Sequence, residues 1–225
     1  MLVKKVGALW LPANAASAAP TPSTGAAVIY QDSAIPNTLS VKDPTGLACA
    51  FPKVLKRIFA STSFGAVTTE LVGISFSGIP AGDLVAGRII RVSLWGVSTN
   101  IATATTLTLR CRIGTATVNA VGGAASANAI AASVALTTAA AAKTTVPWSY
   151  GAQIAIYTVG TTGTMLGQCN FSGGPAGAVV QAGSGLTAAA TVNTTVTNNV
   201  DFTIQPGNAS DITQTTVQGG TIEIL

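Results

Sequence analysis

Apolar and polar residues alternate with a period of two along much of this chain. In residues 106–113 four apolar side chains alternate with polar ones, and they are Leu107, Leu109, Cys111 and Ile113. Successive side chains of a strand point to opposite faces, so this pattern predicts a half-buried antiparallel strand. The alternation recurs in residues 88–97, 200–204 and 221–224. In the second of these segments it predicts that Asp201 and Thr203 lie on the polar face.

Weaker patterns predict further strands separated by turns rich in Gly, Asn and Ser. These strands are expected at residues 67–76, 130–137, 153–158 and 164–171. The last two form a hairpin through the short turn Thr161-Thr162-Gly163. No segment predicts a convincing amphipathic helix, because Asn, Ser, Thr and a Gly pair interrupt the alanine-rich run of residues 120–142. About eight strands predict an all-β antiparallel sandwich at residues 61–225, with jelly-roll topology as the expected form.

Residues 1–60 differ from the rest and are expected to form an extended N-terminal arm. Short strands are predicted at residues 27–30, 38–42 and 47–51, and Asp43-Pro44-Thr45-Gly46 has the residue types of a type I turn. The last two strands would therefore form a short hairpin. Residues 53–59 fit either one helical turn or a strand entering the main domain, and the sequence leaves both open.

Charged residues make up 8% of the chain, against about a quarter in ordinary proteins. A membrane span would explain this, but it needs about 20 consecutive apolar residues, and residues 120–142 are interrupted too often. A secretory signal is also not expected, because Pro12 and Asn14 cut short the apolar run that follows Lys4 and Lys5. A bland surface partly covered by neighbouring subunits fits the composition better.

The few charges are unevenly distributed. Residues 1–57 contain six basic and two acidic residues, whereas residues 144–225 contain three acidic residues and no basic ones. This split predicts that the arm, through Lys4, Lys5 and Lys42, meets an acidic protein surface. The basic residues do not form the clustered stripe of nucleic-acid-binding proteins, so no nucleic-acid partner is expected.

The residue types that most enzymes need are missing or scattered. The chain has no histidine, which excludes Ser-His-Asp and Cys-His catalysis and disfavours a metal site. The odd set Cys49, Cys111 and Cys169 matches no metal-binding spacing, and a buried thiol is expected at Cys111. A glycosidase pair of Asp201 and Asp211 is a minor alternative to isolated surface carboxylates. We therefore expect a non-enzymatic protein without cofactor or metal.

Two further patterns have competing interpretations. The segment Gly183-Ser184-Gly185-Leu186-Thr187-Ala188 has the form of a dinucleotide fingerprint, but a strand-like sequence follows it, so a Gly-rich loop is expected. Among the aromatic residues, Trp95 is expected in the core. Trp148 follows Pro147 near a predicted loop, so Trp148 and Tyr150 are candidate contacts for a host-surface glycan.

Several segments together resemble the jelly-roll domains of tailed-bacteriophage virion proteins, such as head fibres, head decoration proteins and minor tail proteins. The segments that carry the resemblance are Trp10-Leu11-Pro12, Tyr30, residues 39–46, residues 79–82, residues 86–92, Trp95-Gly96, residues 106–114, Pro147-Trp148 and residues 160–164. The likeness covers most of the chain but contains no invariant motif.

The resemblance implies a homotrimer at the virion surface, anchored by its N-terminal arm to the major capsid protein or another virion protein. Lys4, Lys5, Trp10, Tyr30 and Lys42 are the expected anchoring residues. The leading hypothesis is a capsid decoration protein or short head fibre. The alternative is a tail or baseplate protein that binds a host-surface glycan.

Overall fold

The computed structural model describes 14 stretches of the chain, which together form two compact units. The described residues are 13–14, 28–32, 39–42, 48–50, 53–58, 62–65, 69–100, 106–115, 128–132, 136–137, 142–173, 181–183, 189–208 and 212–225. The units are Met1–Lys53 and Val54–Leu225. The boundary therefore lies before the one predicted at residue 60, because residues 53–58 form a strand of the second unit's sheet rather than part of the arm.

The N-terminal unit contains a four-stranded sheet. Its strands, in spatial order, are β1 (Ala13–Asn14), β2 (Val28–Asp32), β3 (Leu39–Lys42) and β4 (Ala48–Ala50). β1 runs parallel to β2, and the other neighbours are antiparallel. The β3–β4 pairing confirms the predicted hairpin, while its turn at residues 43–46 lies outside the described residues. The arm is thus a small sheet, not merely an extended segment.

The second unit is an antiparallel β-sandwich, which confirms the predicted fold class. Its described strands are β5 (Lys53–Ile58), β6 (Thr62–Gly65), β7 (Leu71–Ile79), β8 (Ile89–Asn100), β9 (Thr106–Gly114), β10 (Asn128–Ala132), β11 (Leu136–Thr137), β12 (Lys143–Thr158), β13 (Gly163–Gly173), β14 (Gln181–Gly183), β15 (Ala190–Val192), β16 (Asn198–Pro206) and β17 (Ile212–Ile224). A 3₁₀ turn at Ala81–Asp83 follows Pro80, between β7 and β8.

The strands form a small sheet and a large sheet. The small sheet has the order β10-β9-β16-β7, with β11 also pairing with β9. The large sheet has the order β14-β13-β12-β8-β17-β5, with β15 on β13 and β6 on β17. The pairs β5–β17, β7–β16, β8–β12 and β9–β10 are nested in sequence. Of the seven described strands with nine or more residues, β7, β8, β9, β12, β16 and β17 alternate between the two sheets, and β13 stays beside β12 in the large sheet.

The core lies between these sheets and is formed by the apolar side of each alternating pattern. On β9 the side chains of Leu107, Leu109, Cys111 and Ile113 are buried, as predicted. Phe202 of β16 lies between two aromatic side chains of the large sheet, with ring centroids 5.9 Å from Trp148 and 4.9 Å from Tyr150. Aromatic pairs of this kind contribute about 0.5–1.5 kcal/mol beyond the burial of their area. These rings therefore join the two sheets.

One strand departs from the predicted alternation. β16 is buried on both faces, and Asp201 and Thr203, which were expected on a solvated face, are fully buried. Thr203 donates a hydrogen bond to Glu70, and Arg110 and Arg112 from the neighbouring β9 contact the same carboxylate. Polar side chains from several strands thus cover this face of β16.

Candidate functional site

The structure places the predicted anchoring residues unevenly. Lys4, Lys5 and Trp10 lie outside the described residues. Tyr30 and Lys42 are 2% and 7% exposed, so they are buried within this chain. This corrects the prediction that these two side chains are available to a partner. In the part of the N-terminal unit that the structure describes, Ile29 is a large apolar side chain that is exposed.

The prediction that Trp148 and Tyr150 contact a glycan is also wrong. Trp148 is 3% exposed and Tyr150 is 2% exposed, and both belong to the core. The prediction assumed a loop after Pro147, but β12 begins at Lys143, so these residues lie within a strand and point inward. A buried ring cannot stack on a sugar.

Of the two tryptophans that the structure describes, Trp95 is the one that reaches the surface. It was expected in the core but is 53% exposed. It lies on β8 two residues after Ser93 and four after Arg91, so it shares their outward face. The predicted alternation in residues 88–97 already carried this signal, because Trp95 has the same parity as the polar Arg91 and Ser93.

The ring of Trp95 packs against a glycine of the neighbouring strand. Trp95 pairs with Gly219 of β17 on one side and with Ser149 of β12 on the other. A Cβ atom at Gly219 would lie 2.2 Å from Cζ2 of the Trp95 ring. The absence of a side chain at Gly219 therefore lets the ring lie on the sheet while the rest of it remains exposed to solvent.

A polar groove lies beside Trp95 on the same face of the large sheet. It has a volume of about 400 Å³, and its outward-pointing lining residues are Arg91, Ser93, Gly151, Gln153, Gln168 and Asn170. Gly151 pairs with Ser93 on one side and Asn170 on the other, in the middle of this group. A Cβ atom at Gly151 would lie 2.6 Å from Oδ1 of Asn170, so the glycine provides the space for the groove.

The charge in this groove is balanced. Arg91 donates hydrogen bonds from Nε and Nη2 to Oε2 of Glu223 on β17, the first of them 3.0 Å long. Of the described residues that line the groove, Arg91 is the one that carries a charge. The other polar groups are amides and a hydroxyl, which both donate and accept hydrogen bonds. The groove therefore favours an uncharged polar ligand.

The outer face of the small sheet carries a second charged cluster. We call it closed because its charged side chains bind one another. Arg112 donates to both oxygens of Glu70, at 2.5 and 2.7 Å, and Nη1 of Arg110 donates to Glu70 at 3.1 Å. The same Arg110 atom also donates to Gln205 at 2.7 Å. Burial opposes the charge on Glu70, but hydrogen bonds from Arg112 and Thr203 outweigh this effect, and the pKa of Glu70 lies below its ordinary value. The charged groups of this cluster are therefore paired with one another.

The remaining chemical candidates do not form a site. Cys111 is buried, and desolvation raises the pKa of its thiol far above the ordinary value. Asp201 is buried on β16, and Asp211, the other carboxylate of the predicted pair, lies outside the described residues. Gly183 ends β14, and the rest of the Gly-rich segment is outside the described part of the chain.

The described residues contain no metal site and no membrane-spanning helix. No group of three or more Cys, Asp or Glu side chains is placed to hold a metal ion in the described stretches. No helix within those same stretches has the length and apolar character needed to cross a membrane.

The chain was compared with protein-family models, with curated proteins and with solved structures. None of them matches it. Its function has to be argued from the two units and from the open face of the large sheet.

Proposed function

We propose that this chain is a non-enzymatic structural protein of a tailed-bacteriophage particle, either a capsid decoration protein or a short head fibre at the virion surface. The observation that carries the proposal is the division into a small N-terminal sheet and a separate sandwich. Such a division suits an attachment unit joined to a displayed domain. The N-terminal unit holds four basic and two acidic residues, and this positive balance favours contact with an acidic virion surface.

The strand order supports a jelly roll for the displayed domain. The pairs β5–β17, β7–β16, β8–β12 and β9–β10 are nested from the outermost to the innermost. A long antiparallel hairpin that rolls up into two sheets produces this nesting, and jelly rolls are eight-stranded sandwiches of two Greek keys. A jelly roll is also the fold that the sequence resemblance to phage virion proteins implies.

The mechanism we propose is adhesive. The N-terminal unit would add strands or contacts to the major capsid protein or another virion protein, and the sandwiches of three copies would pack around a symmetry axis. The low charge content of the chain fits a surface that subunits partly cover. Analytical ultracentrifugation of the purified chain should give a homotrimer, and a monomer at micromolar concentration would contradict this part of the proposal.

Removal of the N-terminal unit tests the attachment role. A chain that lacks residues 1–52 keeps all of β5 and is expected to retain a β-type circular dichroism spectrum and cooperative unfolding. It should fail to sediment with phage particles that lack the protein, whereas the full chain should sediment with them. Undiminished sedimentation of the folded truncated chain would refute attachment through this unit.

A second candidate function is that of a tail or baseplate protein that binds a host-surface glycan. Trp148 and Tyr150 cannot serve it because they are buried. The exposed Trp95 and the adjacent polar groove favour it instead. Imaging of intact particles at subunit resolution would separate the head location of the first candidate from the tail location of the second.

A further inference from the structure

We propose that the outer face of the large sheet binds an uncharged oligosaccharide, with Trp95 as the stacking platform and the neighbouring groove as the polar subsite. This inference deepens the second candidate function and rests on it, but it does not require a particular location on the particle. It commits to a ligand class and to residues that the sequence did not indicate.

The exposed ring supplies the first half of sugar recognition. A pyranose ring has a face of C–H groups, and these pack on the electron-rich face of an aromatic side chain. The ring of Trp95 lies against Gly219, and 53% of the residue is exposed, so a large part of the indole is open to solvent. Its backbone is held in the sheet by β12 and β17, which fixes the platform in place.

The groove supplies the second half. Hydroxyl groups both donate and accept hydrogen bonds, and the amides of Gln153, Gln168 and Asn170 do the same. A volume of about 400 Å³ is within the usual range for small-molecule sites. Ser93 is two residues from Trp95 on one strand, a distance of about 7 Å, so the groove begins one repeat from the ring. A ligand that contacts both parts would contain more than one sugar unit.

The charge balance sets the ligand class. Arg91 is paired with Glu223, so an anionic sugar would have to displace a carboxylate from its partner. Oxygen atoms of a neutral sugar meet no such competition at the amides. A preference for neutral over sialylated or sulfated glycans follows.

A second copy of the chain is the main competing occupant, since tryptophan is common in protein interfaces. The groove argues against it, because its lining consists of amides and small polar residues rather than apolar side chains. The competing interpretation predicts that loss of the Trp95 ring changes the oligomeric state. Ultracentrifugation of the Trp95 variant is therefore part of the test.

The experiment uses the full chain on a printed array of neutral, sialylated and sulfated oligosaccharides, followed by calorimetric titration with the neutral oligosaccharide that gives the strongest signal. Trp95→Ala should weaken binding about tenfold or more, the loss expected for one aromatic stacking contact. Asn170→Ala should weaken it about fivefold through one lost hydrogen-bonding group. Both variants change exposed side chains, so their thermal unfolding should match that of the parent.

Tyr157→Ala is the matched control. Tyr157 is an exposed aromatic residue of β12, the strand next to that of Trp95. It lies about 25 Å along β12 from Ser149, the neighbour of Trp95. Its replacement should change binding less than about twofold if stacking at Trp95 is specific.

Three results would overturn the inference. They are an absence of binding to every neutral glycan, equal binding by Trp95→Ala and the parent, and a changed oligomeric state in Trp95→Ala without a change in affinity. None of them bears on sedimentation of the full chain with phage particles, so failure of this inference is distinguishable from failure of the attachment proposal.

Discussion

The two outer faces of the sandwich both carry an Arg–Glu pair, but their surroundings differ. On the small sheet, the side chains of Arg112 and Glu70 are 18% and 16% exposed and contact further polar groups on β9 and β16. On the large sheet, Arg91 is 44% exposed beside an open groove. The difference lies in the neighbouring positions, where Asp201 and Thr203 fill one face while Gly151 and Ser93 leave the other open. The side chains at these positions therefore cover the outer face of the small sheet and leave a groove on that of the large sheet.

The largest expected difference between the faces is in stability. Arg112→Ala leaves Glu70 with a weakened set of partners in a mostly buried site and should cost about 2–3 kcal/mol of unfolding free energy. Arg91→Ala removes a pair that is largely solvated and should cost less than about 1 kcal/mol. Urea unfolding of the two variants measures both values. Equal costs would show that the small-sheet cluster is not closed.

The closed cluster should also make stability depend on pH. The folded-state pKa of Glu70 lies below its ordinary value of 4.5, so its contribution is present above that value and is lost as the pH falls through the folded pKa. Glu70→Gln should therefore destabilise the chain by about 1–2 kcal/mol at pH 7. The difference from the parent should shrink as the pH falls through the folded-state pKa, which lies below 4.5, because the parent carboxylate then becomes protonated.

Thermal unfolding between pH 3 and pH 7 measures this difference. A constant offset between Glu70→Gln and the parent across that range would mean that ionisation of Glu70 contributes nothing. The matched variant Glu223→Gln on the open face should cost less stability at pH 7, because its partner Arg91 is 44% exposed.

A small change in stability, but a clear change in binding, is expected for Gly219→Ala. The new methyl group would meet the Trp95 ring, which can swing into solvent because it is exposed at the surface. We expect a cost of about 1 kcal/mol or less and a severalfold loss of oligosaccharide affinity. Calorimetric titration of this variant beside the parent checks the effect. Full affinity would show that the position of the ring does not matter.

The parts of the fold that follow local periodicity could be predicted from the sequence. β9 was predicted almost to the residue, because its alternation is unbroken from Thr106. β12 was predicted only at residues 153–158, because Pro147 and Gly151 usually interrupt strands. The observed strand is much longer. Pro147 is tolerated next to a register irregularity between Lys143 and Val146, where the regular ladder is interrupted.

The burial of Asp201 and the groove on the large sheet could not be predicted from any single strand. Asp201 pairs in register with Arg112 of β9 and Ser75 of β7, whereas the pattern of β16 alone suggested a solvated face. The groove depends on Gly151 standing between Ser93 and Asn170, and this register is set by pairing across the sheet. Trp95 is different, because its exposure followed from the alternation of β8 and was missed only because aromatic residues on strands are usually buried.

Fluorine NMR of the 5-fluorotryptophan-labelled full chain tests most directly whether the large sheet presents an open face built around Trp95. Three resonances are expected, for Trp10, Trp95 and Trp148, and each is assigned by its Trp→Phe substitution. The Trp95 resonance should show a large solvent isotope shift between H₂O and D₂O and should move on addition of the bound neutral oligosaccharide, while Trp148 should do neither. A shielded Trp95 together with a solvent-exposed Trp148 would contradict the account.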